Sequence, residues 1–216
     1  FLGGVAEVSS GTQLSIWADE PVIFTGPTNL SGGIRMEDGV ILFSDINALP
    51  SASPGTFFTS AEDSTYIGLM IDSVTDRFAA TGLFLDLFDP TGFTGTIGFD
   101  TDPSSEGPPN SYSAPIDLTG FTDVRIGSVT GAEITGALTP AGQNYRFGDG
   151  GGSLLIGSLL EDDSSSGPVA ARGIEVVSTQ YDALTVYINN PENAFTGNVT
   201  AEHSAVIFGG APGALP

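Results

Sequence analysis

The triplet Phe-Thr-Gly stands at three places in this chain, Phe24-Thr25-Gly26, Phe93-Thr94-Gly95 and Phe195-Thr196-Gly197, each a few residues after a proline and shortly before Leu30, Ile97 or Val199. The likeness runs well beyond the triplet. Segment 14–50, LSIWADEPVIFTGPTNLSGGIRMEDGVILFSDINALP, answers segment 184–216, LTVYINNPENAFTGNVTAEHSAVIFGGAPGALP: Leu14 matches Leu184, Pro21 matches Pro191, Phe43 matches Phe208, and both close on Ala-Leu-Pro. A shorter copy, LFLDLFDPTGFTGTIGFDT, occupies 83–101. A unit that recurs at this length cannot bury its apolar side alone, and it does so by stacking on its neighbours.

The units are built from short runs rich in Val, Ile, Leu, Phe and Thr: Leu14–Trp17, Val40–Phe43, Tyr66–Ile71, Leu83–Phe88, Leu154–Ile156, Leu184–Ile188 and Ala205–Phe208. Each is about one strand long, and 30 glycines and 14 prolines punctuate them. No segment of helical length carries a clean i, i+3, i+4, i+7 apolar pattern, so no helix is predicted. The expected fold is all-β, a right-handed parallel β-helix with inward residues stacked about 4.8 Å apart. The glycine after each threonine is expected to supply a turn residue that tolerates positive φ. The whole chain, 1–216, reads as one β-helical repeat domain, with loops near 101–113 (TDPSSEGPPNSYS) and 161–168 (EDDSSSGP). An antiparallel β-sandwich is the runner-up, because it makes the same short strands. Its hairpin signals are few here, Asp38-Gly39 and Asp149-Gly150.

Charge narrows the partners. The chain has 26 acidic and 5 basic residues, a net charge of −21, and every basic residue is arginine. Nucleic acids and anionic membrane surfaces are bound through clustered Lys and Arg, so both are set aside. Cysteine is absent, which excludes a disulfide framework and a thiolate metal site. No apolar run reaches the length of a membrane helix, so direct membrane insertion is not expected, and the start FLGGVAEV lacks the pattern of a signal peptide. The sequence reads as a mature product or an internal fragment.

Little in the sequence points to catalysis. His203, the single histidine, sits between Glu202 and Ser204, and such neighbours alternate faces on a strand. No catalytic residue is assigned and no enzyme is expected. Two acidic loops are candidate calcium ligands, since calcium takes six to eight oxygens: Asp100, Asp102 and Glu106 in one, Glu161, Asp162 and Asp163 in the other. Neither has EF-hand spacing, and FGDGGGS (147–153) only partly matches a calcium-binding nonapeptide. Solvated loop is the simpler reading. Trp17, Tyr112 and Tyr145 are the aromatic candidates for a glycan surface. Asn29-Leu30-Ser31 and Asn198-Val199-Thr200 match the N-glycosylation pattern, read as coincidence in a bacterial protein.

Units 14–50 and 184–216 resemble the autotransporter-associated β-strand repeat proteins: an apolar strand, a turn with asparagine or proline, a Thr-Gly turn, and a second apolar strand ending in Ala-Leu-Pro. Leu118–Leu160 is similar to the segment that precedes such a unit. Pro27, Thr96 and Asn198 stand where the family usually has a second glycine. The resemblance implies export to the cell surface or medium and a role in adhesion, matrix or surface filaments. The expected function is thus a structural extracellular module, with copies of itself end to end as partners because solenoid ends leave strand edges open. A carbohydrate-binding or polysaccharide-degrading β-helix is the alternative, with surface glycans as its partners.

Overall fold

The computed structural model describes residues 3–51, 57–165, 168–178, 184–203, 205–210 and 215. Ala214 and Pro216 of the second Ala-Leu-Pro lie outside the described residues. The chain is predominantly β, and every pairing between its strands is parallel. Among the described residues, one antiparallel bridge joins Asp163 to Ala170. An antiparallel sandwich does not have such ladders.

The longest sheet has eight strands, in the spatial order Val22–Phe24, Val40–Phe43, Tyr66–Leu69, Thr96–Phe99, Arg125–Gly127, Asn144–Phe147, Gly173–Val177 and Val199–Glu202. This is also their order in the chain. A second sheet of five runs Asn110–Tyr112, Ala132–Ile134, Ser153–Ile156, Thr185–Ile188 and Val206–Gly209, again in chain order. From Thr96 onward the chain alternates between these two sheets, each return adding the next strand. Leu14–Trp17, Ile34–Asp38 and Phe58–Ser60 make a three-stranded sheet, and Val5–Ala6 with Thr28–Asn29 and Ile116–Asp117 with Leu138–Thr139 make two short pairs.

Register turns the apolar runs into columns. Val22, Ile41, Ile67, Ile97, Ile126, Phe147, Val176 and Ala201 are successive partners across the long sheet. From Ile41 to Val176 the column is buried. Phe24, Phe43, Leu69 and Phe99 form another, and Ala132, Leu154, Val186 and Ile207 a third on the second sheet. Side chains alternate faces along a strand, so each rung sends every second residue to the interior. Full burial of one such side chain contributes about 1.5–3 kcal/mol.

The triplets of the repeat do not share one place. Phe93-Thr94-Gly95 and Phe195-Thr196-Gly197 precede long-sheet strands, whereas Phe24-Thr25-Gly26 begins at a strand's last residue. What they share is packing. The three phenylalanines are buried, and a Cβ on Gly26, Gly95 or Gly197 would meet the backbone oxygen of Gly3, Thr65 or Arg172 at 1.2, 2.4 or 2.5 Å. None of the three glycines has positive φ. They are needed for close approach of the neighbouring rung, not for turn geometry as expected.

One segment departs from the expected all-strand pattern. Val74–Leu85 is a helix, α1, so the strand expected at Leu83–Phe88 is not formed. Its buried face is Arg77, Ala80, Thr81 and Phe84, which has helical spacing, but two of the four are polar, while Val74, Phe78 and Leu83 face outward. That inversion hides the periodicity. Ser73 caps the helix by accepting from the Asp76 amide at 3.4 Å, and the Thr81 hydroxyl donates to the Arg77 carbonyl at 2.8 Å. The Arg77 guanidinium lies 5.8 Å from the Tyr112 ring centre. α1 thereby packs on Asn110–Tyr112, the first strand of the second sheet, and covers an edge that would otherwise be open. This strand sits inside the segment expected to be the loop 101–113. No helix among the described residues is long and apolar enough to cross a membrane.

Candidate functional site

The outward face of the long sheet holds the densest set of buried polar groups. Its outward residues form two adjoining columns: Val40, Tyr66, Thr96 and Arg125 in one, Leu42, Gly68, Gly98 and Gly127 in the other. The glycines leave a trough, and the neighbouring side chains lie across it. A Cβ on Gly98 would sit 2.1 Å from the Tyr66 ring, on Gly127 2.6 Å from Cγ2 of Thr96, and on Gly148 2.6 Å from Cδ of Arg125. Gly98→Ala should therefore force the Tyr66 ring out of place and destabilise the fold by about 1–3 kcal/mol. Chemical unfolding would register this as a lower midpoint with an unchanged slope.

Asp100 follows the strand Thr96–Phe99 and is fully buried. Its Oδ2 accepts from the Tyr66 hydroxyl at 2.7 Å. Its Oδ1 accepts from the Val129 and Thr130 amides at 2.7 and 3.0 Å, and from the Ser128 and Thr130 hydroxyls, each at 3.2 Å. The turn after Arg125–Gly127 wraps the carboxylate in this way because Gly131 takes φ 129°. Burial pushes the Asp100 carboxyl above the usual aspartate range, against the opposing pull of its hydrogen bonds, chiefly that from Tyr66. Burial, and then the charge of Asp100, raise the Tyr66 phenol. The Tyr112 hydroxyl donates to the Leu69 and Asp100 carbonyls at 2.7 and 2.6 Å, and burial raises it too.

A second node lies beside the first. Asp149 is buried with φ 57°, a left-handed conformation that aspartate tolerates better than most side chains. Its Oδ2 accepts from the Thr96 hydroxyl at 3.0 Å and stands 3.8 Å from Nη1 of Arg125. Further along, Arg146 pairs with Asp123 and, at 3.2 Å, with Glu175. The arrangement ties rung to rung: Asp100 joins groups from three successive long-sheet rungs and their turns, and Asp149 reaches back two rungs to Thr96.

The six candidate calcium ligands are spread over different surroundings. Asp100 is the buried node just described, not a solvated loop residue. Asp102 accepts from the amide and hydroxyl of Ser104 at 2.8 and 2.7 Å, and Glu106 is exposed. Asp162 accepts from the Arg172 and Thr196 amides, both at 2.8 Å, and from the Thr196 hydroxyl at 2.7 Å. Asp163 accepts from the Ser165 amide and hydroxyl and pairs with Arg172 at 3.6 Å, and Glu161 borders a surface groove. Among the described residues, no three acidic groups converge as metal ligands would.

Of the aromatic candidates, Trp17 is 78% exposed, whereas Tyr112 and Tyr145 are buried and offer no glycan platform. His203 is not on a strand as expected. It stands in the turn after Val199–Glu202 with φ 54°, and Ser204 lies outside the described residues.

Asp162 gives a pH-dependent expectation. The hydrogen bonds from the Arg172 amide and from Thr196 hold its carboxyl below the usual range. A depressed carboxylate stabilises the fold above its unfolded value, about 3.9, and loses that contribution as pH falls through the folded value. Asp162→Asn should therefore melt below the native protein at neutral pH, and the gap should close in strong acid. Thermal melts across the acid range would show it.

Sequence inspection missed Tyr66, Thr96, Arg125, Ser128, Thr130 and Asp149. One signal was present: Tyr-Ile-Gly-Leu at 66–69, Thr-Ile-Gly-Phe at 96–99 and Arg-Ile-Gly-Ser at 125–128 align the inward isoleucine and the trough glycine on three consecutive rungs.

The fold and this network define a predominantly β protein of parallel sheets, with its buried polar groups hydrogen-bonded to neighbouring rungs. No protein-family model, no curated protein and no solved structure matches the chain.

Proposed function

We propose that the chain is a right-handed parallel β-helix acting as a passive structural module of an extracellular adhesin, matrix or filament. The observation that carries this reading is the in-register column from Val22 to Ala201, which crosses all eight rungs of the long sheet. Right-handedness follows from the near-universal hand of crossovers between parallel strands. The scaffold role is supported by where the buried polar groups go: Asp100, Tyr66, Tyr112 and Asp149 are engaged in contacts between rungs. Export to the surface or medium is supported by the resemblance to autotransporter-associated repeats and by a charge of −21, which favours solubility over adsorption to anionic surfaces.

Partners of the same kind are part of the reading. Among the described residues, Val199–Glu202 and Val206–Gly209 stand at the edges of their sheets, and Val199, Val206 and Phe208 are 36, 40 and 47% exposed. A further rung added in parallel would continue both sheets and cover these residues. Electron microscopy of the purified chain tests the assembly, with end-to-end rods expected and compact isolated particles at all concentrations counting against it.

A further inference from the structure

A groove of about 920 Å³ is lined by the Leu138–Thr139 strand and by residues 161–165. That size fits a small organic ligand or a few sugar units. We infer that this groove binds an uncharged oligosaccharide, a function beyond the scaffold role and independent of it.

The lining is short of committed polar groups. The side chains of Thr119, Thr139, Gln143 and Glu161 make no hydrogen bonds to other described residues. Together they present hydroxyl, amide and carboxylate groups, hence donors as well as acceptors. Behind them, the Tyr145 hydroxyl donates to the Glu161 carbonyl and accepts from the Glu161 amide, both at 3.0 Å, which fixes that wall. The Arg172 guanidinium lies 5.9 Å from the Tyr145 ring centre, and its Nε has no hydrogen-bond partner among the described residues. Leu159, 40% exposed, adds an apolar contact.

Other ligand classes fit this chemistry less well. Asp162 and Asp163 border the groove, but their oxygens are taken up by Arg172, Thr196 and Ser165. The acidic surface disfavours a polyanion, and no set of acidic groups converges on a cation. A polyhydroxylated, uncharged chain supplies donors and acceptors in pairs and presents C–H surface between them, which is what the uncommitted side chains and Leu159 would meet.

The test is isothermal titration of the intact chain with a panel of soluble neutral oligosaccharides, alongside polyuronate and amine-bearing oligosaccharides. At least one neutral member should bind. Gln143→Ala and Glu161→Gln should each weaken that binding about tenfold, as the loss of one good hydrogen bond would, without moving the melting temperature. Trp17→Ala should leave it unchanged. Binding to none of the panel, binding only to charged members, or binding lost in Trp17→Ala but retained in the groove variants would overturn the assignment. None of these results bears on the rods sought by microscopy, so the two readings fail separately.

Discussion

Replacing Asp100 with alanine is expected to destabilise the protein by about 3–5 kcal/mol, a large part of a typical domain's stability. The carboxylate accepts from the Tyr66, Ser128 and Thr130 hydroxyls and from the Val129 and Thr130 amides. Alanine would strand them in a site from which water is excluded, at about 1–3 kcal/mol for each group that finds no new partner. Asp100→Asn keeps one acceptor oxygen, so its cost should be smaller. Chemical unfolding should place the variants in the order native, Asn, Ala. The titration of Asp100 itself runs opposite to that of Asp162. Because burial raises its pKa, its protonation favours the folded state. That contribution is complete below the unfolded value and is lost as pH rises through the folded one.

Phe84→Ala should cost about as much, roughly 3–5 kcal/mol, by removing a fully buried ring and leaving a cavity. Phe84 packs on Phe88 at 5.0 Å, Phe58 at 6.0 Å, Phe99 at 6.4 Å and Phe43 at 6.5 Å between ring centres. It is the residue through which α1 enters the phenylalanine cluster. Phe78→Ala, six residues earlier on the outward face, removes an exposed ring and should change stability by less than about 0.5 kcal/mol. If the two substitutions had equal effects, α1 would not be docked as described.

The strands were legible where an apolar run is as long as a rung. Val40–Phe43 and the core of Tyr66–Ile71 are strands because their alternate residues join columns already begun on the previous rung, and Leu14–Trp17 because its alternate residues begin columns that Ile34–Asp38 continues. α1 was illegible because Arg77 and Thr81 occupy its buried face. The arginine is accommodated there by the Tyr112 ring and the threonine by its own helix's carbonyl, neither of which local periodicity can reveal. The strand Asn110–Tyr112 looks like loop because Asn110 and Ser111 are polar. Asn110 spends its amide on the Ile71 and Asp100 carbonyls, which closes the corner. Asp100 was noticed for its charge and assigned to a loop, because Tyr66, 34 residues away in sequence, and Ser128, 28 away, become neighbours only once the rungs stack. The Thr-Gly dipeptides were read as one device, yet Gly131 uses positive φ while Gly95 uses the absence of a side chain.

The stacked parallel register is the central claim, and a pair of introduced cysteines tests it most directly, since the native chain has none. Ser153 and Thr185 are partners on adjacent strands of the second sheet. Neighbouring strands lie about 4.8 Å apart, within the range a disulfide spans. Ser153→Cys with Thr185→Cys should cross-link on mild oxidation in the folded protein. Ser153→Cys with Tyr187→Cys, two residues out of register, should not. A cross-link in the second pair, or none in the first, would contradict the parallel stack.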